Sequence, residues 1–195
     1  MRDRGLFWSP VPDWSRAGIQ HEGLNIAAVV PQAAWLVSGN LLAFLERRGV
    51  RFGDAGGRYA LRLAPDRLLF MAVDGAATDG VTFGWSEDGC AITDVSDGHV
   101  LLDITGPAAP ELMRLGALHD FEGTSDTASA ATLFAGQRVI LARIQQGWRL
   151  HVERPNAAAI WQWLQRAASE WAKPPADGSS RSTSRQLHSE QQVVS

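Results

Sequence analysis

The chain has 195 residues, 45% of them hydrophobic and 20% charged, with a formal net charge of -3. These proportions fit one globular domain, or two small lobes around a shared core, and argue against a disordered chain. The sequence pI near 5.9 supplies no basic stripe for nucleic acid, and apolar runs such as AAVV and AAWLV fall far short of the roughly 20 residues a bilayer helix needs.

The amino terminus reads MRDRGLFWSPVPDW, and Trp8, Pro10, Pro12 and Asp13 interrupt it before an apolar stretch can form. No signal peptide is expected, which makes the cytoplasm the default location. Residues 1–22 read as an extended arm broken by prolines. Phe7, Trp8 and Trp14 stand on it without a local core, so they are the predicted partner-binding residues, because large aromatics bury much area at low rotamer cost. Of the eight tryptophans, Trp35, Trp148, Trp161 and Trp171 lie in periodic segments and are predicted to pack in the core.

Residues 23–173 are predicted to form one α+β domain that says the same thing twice. AAWLVSGNLLAFLERRGV gives a strand through Val37, a break at Ser38 and Gly39, then a helix from about Asn40 with Leu41, Phe44 and Leu45 on one face. HVLLDITGPAAPELMRLGAL repeats the pattern: a strand through Ile104, a break at Thr105, Gly106 and Pro107, then a helix carrying Leu112 and Leu115. Thr105 is expected to cap that helix with its hydroxyl and Pro107 to set its first turn. Gly49 and Gly116 are expected to end the two helices in the left-handed conformation.

Each helix is followed by a predicted hairpin. RYALRLAPDRLLFMAV turns at Ala64, Pro65 and Asp66, and RVILARIQQGWRLHVE turns at Gln145, Gln146 and Gly147. After the second comes a helix with Pro155 in its first turn and Ile160, Leu164, Ala167 and Trp171 on one face. After the first, DGAATDGVTFGWSEDG leaves room only for a shortened helix. The fold class that results is α+β: two repeated β-α-β-β-α units whose antiparallel sheets are covered by helices, each burying an apolar sheet face that a lone unit would leave wet. Residues 174–195, rich in Ser, Gln and Arg, are read as a disordered tail.

Chemistry-bearing patterns are sparse. A single cysteine, Cys90, excludes an internal disulfide framework, and no CxxC or clustered His/Cys spacing proposes a zinc site. Asp94 and Asp97 flank Ser96 before Gly98, which is turn chemistry rather than a carboxylate pair. His21, His99, His119 and His151 show no spacing that pairs two on one helix face, and His188 lies on the tail. No GxSxG elbow, GxGxxG or GxxxxGK[ST] occurs, and GDAGGR at 53–58 reads as a connector. No catalytic, cofactor-binding or metal-binding residue is assigned, so the chain is expected to bind rather than to transform.

Between Ala91 and Trp171 stand an Asp-Val-Ser turn at 94–96, a strand into Thr105-Gly106-Pro107, a helix leading to Leu118-His119-Asp120-Phe121, a strand pair after it, and a closing helix with Trp161-Gln162-Trp163-Leu164. In this order and spacing the stretch resembles the gamma subunit of heterotetrameric sarcosine oxidases. Upstream, RLAPDRLLFM is similar to a Leu-Gly-Pro-Asp-x-Trp-Leu segment of the family, with Arg67 in the place of Trp. The resemblance implies a fold similar to the folate-binding domain of aminomethyltransferases. It also implies alpha, beta and delta partner subunits holding the cofactors: FAD and FMN in beta, NAD and tetrahydrofolate in alpha, zinc in delta. The expected role is an accessory subunit of a complex that demethylates sarcosine or a related N-methyl amine. The alternative is a free-standing folate-binding or aminomethyltransferase-like protein, which would need a carboxylate for the pterin, with Asp94 or Asp103 as candidate.

Overall fold

The structure, a computed structural model, describes residues 11–52, 57–73, 75, 78, 80–117 and 129–171. Along the chain come β1 (Gly18–His21), β2 (Leu24–Val29), β3 (Ala33–Gly39), α1 (Leu41–Arg48), β4 (Arg58–Ala64), β5 (Arg67–Ala72), β6 (Gly84–Trp85) and β7 (Cys90–Asp94). The second half holds β8 (His99–Thr105), α2 (Ala109–Gly116), β9 (Ser129–Phe134), β10 (Gln137–Ile144), β11 (Gly147–Glu153) and α3 (Arg154–Trp171).

Local signals act where the sequence places them. The Asn40 side chain accepts the Ala43 N–H and starts α1, and Gly49 ends it at φ 60°, a conformation that costs glycine little. Pro65 and Asp66 turn β4 into β5, and Gln145 and Gln146 turn β10 into β11. Pro155 stands in the first turn of α3, where its missing N–H leaves no bond unmade.

The strands form two antiparallel sheets, one of six in the order β1-β2-β8-β11-β10-β9 and one of five in the order β4-β5-β3-β7-β6. Read from opposite ends, the orders match: β1, β2, β8, β11 and β10 correspond to β6, β7, β3, β5 and β4. The edge hairpins are exchanged between the repeats. The β1–β2 hairpin precedes β3 in sequence but pairs with β8, and the β6–β7 hairpin precedes β8 but pairs with β3. Glycines make the exchange possible. Gly39 and Gly106, at φ 108° and 103°, leave β3 and β8, and a Cβ on either would lie 2.5 Å from a carbonyl oxygen, that of Gly89 or Gly23. The N–H groups of Asn40 and Ala108 donate to those same carbonyls at 3.0 and 2.9 Å.

Three apolar clusters define the layers. Leu24, Ile26, Val100, Leu102, Ile104, Leu141 and Leu150 of the six-stranded sheet pack under Leu112 and Met113 of α2 and Ile160, Trp161 and Leu164 of α3. Trp35, Val37, Leu68, Phe70 and Ile92 of the five-stranded sheet pack under Phe44 and Leu45 of α1. Between the sheets, Ala34, Tyr59, Leu61, Leu69 and Met71 meet Leu101 and Ala142. Helices therefore cover one face of each sheet, and the sheets cover each other, as the alternating burial of the strands requires.

Several expectations are corrected. Thr105 caps no helix: its hydroxyl donates to the Asn25 carbonyl across the β2–β8 ladder, and α2 begins after Ala108 without a side-chain cap. Gly116 lies inside α2 and is small for another reason, since a Cβ there would sit 2.5 Å from the Phe134 ring. Pro107 precedes α2, whose early proline is Pro110. The described part of 74–89 contains β6 and no helix. Within the predicted arm of residues 1–22, Gly18–His21 form β1, which pairs with β2. On α3 the buried stripe runs through Ala157, Ile160, Trp161, Leu164 and Ala168, with Ala167 only partly buried. The Trp171 side chain, and all of residues 174–195, lie outside the described residues.

Candidate functional site

The polar residues of the interior gather between the two sheets. Arg149 and His151 face inward from β11, Asp103 from β8 and Tyr59 from β4, so both sheets contribute. Arg149 is buried, and it holds both oxygens of Asp103, through Nε at 2.6 Å and Nη2 at 2.7 Å. Their positions are directly opposed in the β8–β11 register. Burial disfavours the guanidinium charge, but the Asp103 carboxylate and Tyr59 together outweigh it and hold the Arg149 pKa above its ordinary value. The Tyr59 ring centroid lies 5.8 Å from the guanidinium carbon.

His151 is buried among these groups. Its Nδ1 stands 3.0 Å from the Ile140 carbonyl, which can only accept, so Nδ1 carries the proton. Nε2 is then bare and accepts from the Tyr59 hydroxyl at 2.7 Å. Burial, opposed by the Ile140 carbonyl and assisted by the nearby Arg149 charge, brings the imidazole pKa down to about 3. A neutral histidine fixed by two bonds, beside a closed ion pair, ties the sheets together and has no proton to trade at ordinary pH. No group of three His, Cys, Asp or Glu side chains among the described residues is placed to hold a metal ion.

The outer surface is better supplied with unspent apolar area. Trp85 on β6 is 75% exposed and Phe83 beside it 49%. A groove of about 640 Å³ between α2 and α3 is lined by Glu111, Leu115, Trp163, Arg166, Ala167 and Glu170. Sequence reasoning did not single out Trp85; its signal is a tryptophan flanked by Gly84 and Ser86 in a turn-rich segment, where no period seats it in a core. Tyr59 and Arg149 were also missed, because only strand register brings them together.

The predicted site residues fare unequally. Phe7 and Trp8 lie outside the described residues. Trp14 does not stand free on an arm: it is 7% exposed, packed edge-on against Trp161 with ring centroids 5.8 Å apart, in the core beneath α3. The Asp13–Arg16 turn, where the Arg16 N–H donates to the Asp13 carbonyl, brings it back onto the body. Trp35, Trp148 and Trp161 are buried as expected. Asp94 accepts from the Ser96 hydroxyl and, at 2.9 Å, from the Ser96 N–H, which lowers the carboxyl pKa and confirms a turn. Cys90 is buried at the start of β7, its sulfur 3.1 Å from the Ser86 hydroxyl.

Comparison with known proteins adds four findings. Residues 53–170 match the sarcosine oxidase, gamma subunit family. The chain is 31% identical over 135 residues to the sarcosine oxidase subunit gamma of Corynebacterium sp. (strain P-1), a match covering 67% of this chain and 66% of that one. It is 32% identical over 96 residues to an aminomethyltransferase of Saccharopolyspora erythraea, covering 47% of this chain and 26% of the relative. The matches thus span just under two thirds of the first relative and about a quarter of the second. The fold is similar to a chain of the heterotetrameric sarcosine oxidase from Corynebacterium sp. U-96 in complex with pyrrole 2-carboxylate, with TM-score 0.65 and 19% identity over 82% of this chain and 91% of that one.

Proposed function

The chain belongs to the sarcosine oxidase gamma subunit family, and from that premise we propose that it is the noncatalytic accessory subunit of a heterotetrameric flavoenzyme. The complex would oxidatively demethylate sarcosine or a related N-methyl amine, passing the one-carbon unit to tetrahydrofolate or releasing formaldehyde. Alpha, beta and delta chains are its partners, with FAD and FMN in beta, NAD and tetrahydrofolate in alpha and zinc in delta. The cytoplasm is the proposed location; among the described residues no helix is long and apolar enough to cross a membrane.

The observation that carries this reading is the state of the interior. Most of the hydrogen-bonding capacity of its ionisable groups is spent within the cluster, Asp103 on Arg149 and His151 on Tyr59 and the Ile140 carbonyl, while Arg149 Nη1 is buried without a hydrogen-bond partner. A general acid or base needs a pKa near the working pH and an open partner, and a histidine at about 3 with both nitrogens bonded has neither. The work left to such a body is to hold other chains.

The aminomethyltransferase similarity favours a second reading, a free-standing folate-binding protein. It asks Asp94 or Asp103 to hold the pterin, yet Asp94 is folded back on Ser96 and Asp103 is closed by Arg149. Titration of the purified chain with tetrahydrofolate separates the two. The subunit reading expects no micromolar binding by the isolated chain, and binding at that level would favour the alternative.

A further inference from the structure

The two repeats differ at the rim of the five-stranded sheet. Gly23 and Gly89 stand in equivalent turns, at φ 75° and 77°, so the edge hairpins can be aligned residue by residue. In the six-stranded sheet, β1 faces β2 from His21↔Leu24 to Gly18↔Ala27, and the Ala17 carbonyl then accepts the Ala28 N–H at 2.9 Å. In the five-stranded sheet the same path starts with the Ser86 N–H on the Cys90 carbonyl, passes Trp85↔Ala91 and Gly84↔Ile92, and stops. On the side away from β3, no strand pairing among the described residues continues to Thr93 and Asp94, whereas Gly18 and Ala17 stand opposite Ala27 and Ala28.

The gap is built rather than frayed. Gly84, at φ 95°, turns the chain out of the ladder. Beyond it Phe83 lies edge-on to Trp35 with centroids 6.2 Å apart, and Val81 packs against the core beneath α1. The Arg48 guanidinium donates to the Gly80 carbonyl at 2.9 Å while lying over the Trp35 ring. These contacts hold the segment off the sheet edge. Val95 donates its N–H to Ala34 on β3, so antiparallel alternation turns the N–H and C=O of Asp94 toward the open side. Its carboxylate, engaged by Ser96, is not available to cover them. Trp85 stands beside the gap, on the face that carries Ala91 and Thr93.

We propose that this step in the sheet edge receives an extended segment of a partner subunit, which takes the path that residues 17 and 18 take in the other sheet. The proposal rests on the subunit reading above. The equivalent edge shows what fits: main chain, bonded to the Asp94 N–H and C=O, with an apolar side chain against Trp85. The carboxylate of Glu87, exposed at this hairpin, selects a basic residue in the segment. An unpaired edge next to an exposed tryptophan combines backbone bonding for affinity with a side-chain anchor for specificity.

The test uses the full chain, alone and co-expressed with its alpha, beta and delta chains. Hydrogen exchange at the Asp94 amide is expected to slow at least tenfold in the complex relative to the isolated chain. Trp85→Ala is expected to weaken assembly at least tenfold without changing the melting temperature of the isolated chain, whereas Leu42→Ser, equally exposed but on α1, leaves assembly unchanged. If the complex forms, the amide exchanges at its free rate and Trp85→Ala assembles like the parent, the edge proposal is overturned and the subunit reading stands. If the parent chain does not join its partners at all, both fall. Protection that appears in the isolated chain with rising concentration would mean pairing with a second copy, and would also overturn it.

Discussion

The Tyr59 hydroxyl donates to His151 Nε2 at 2.7 Å, and this bond joins β4 of one sheet to β11 of the other across the middle of the sandwich. Tyr59→Phe leaves the imidazole acceptor buried and unpaired. The loss is expected to be about 1–3 kcal/mol, measured by urea denaturation against the parent chain. A neutral result would mean that Nε2 has another partner.

The same histidine gives stability a pH dependence with a defined window. Its folded pKa of about 3 lies below the ordinary 6.5, so between those values the unfolded chain binds more protons than the folded one. Stability from this group is complete above pH 6.5 and is lost as pH falls toward 3, with a slope of at most about 1.4 kcal/mol per pH unit. Asp13 and Asp94 have lowered pKa values and lose their contributions in the same direction, but only below the carboxylate range near 3.8. Denaturation midpoints at steps from pH 7 to 4.5 should therefore fall in the parent chain and flatten in His151→Gln. An unchanged slope in the variant would contradict the assignment.

Arg149 and Asp103 are expected to behave as a closed pair. Arg149→Met strands the carboxylate between the sheets and should cost about 3 kcal/mol. Adding Asp103→Leu should restore most of that loss, because two apolar side chains leave no charge behind. If the double variant is as unstable as the single one, the bidentate contact is not what Arg149 contributes.

Trp14 tests the corrected reading of the amino-terminal segment. Buried against Trp161, it should cost about 3 kcal/mol or more on replacement by Ala, as large core truncations do. Were it an exposed anchor, the isolated chain would melt unchanged and only assembly would suffer. Thermal melting of the variant decides between them.

Much of this arrangement is legible in the sequence, and the reasons are local. Asn40, Gly49, Pro65-Asp66, Gln145-Gln146 and Pro155 act through bonds to residues a few positions away, so pattern alone locates α1, both central hairpins and the start of α3. Thr105 and Gly116 mislead because their partners are distant: Thr105 answers to Asn25 across a ladder, and Gly116 to the Phe134 ring. The exchange of edge hairpins is likewise invisible to periodicity, since β1–β2 reads the same whichever sheet it joins. The polar and proline neighbours of Trp14 point to an arm, and the proline pattern obscures the short-range turn from Asp13 to Arg16 that seats it.

The glycines at the strand exits supply a further test. Gly39→Ala and Gly106→Ala each combine an unfavourable backbone conformation with a Cβ 2.5 Å from a carbonyl oxygen. Gly136→Ala, at φ 76° with nothing within 4 Å, carries only the conformational term, about 1 kcal/mol. Both junction variants should exceed that by more than 1 kcal/mol in denaturant titrations. Equal losses at all three positions would mean that the close approach to Gly89 and Gly23 does not govern the junctions.

The central claim, that this body binds redox chains and performs no chemistry itself, is tested most directly by native mass spectrometry and visible absorption of the complex purified through a tag on this chain. A four-chain assembly carrying flavin, together with an isolated chain that neither absorbs in the flavin region nor consumes sarcosine, is the predicted result. Turnover of an N-methyl amine by the chain alone, or its isolation without flavin-bearing partners, would contradict the account.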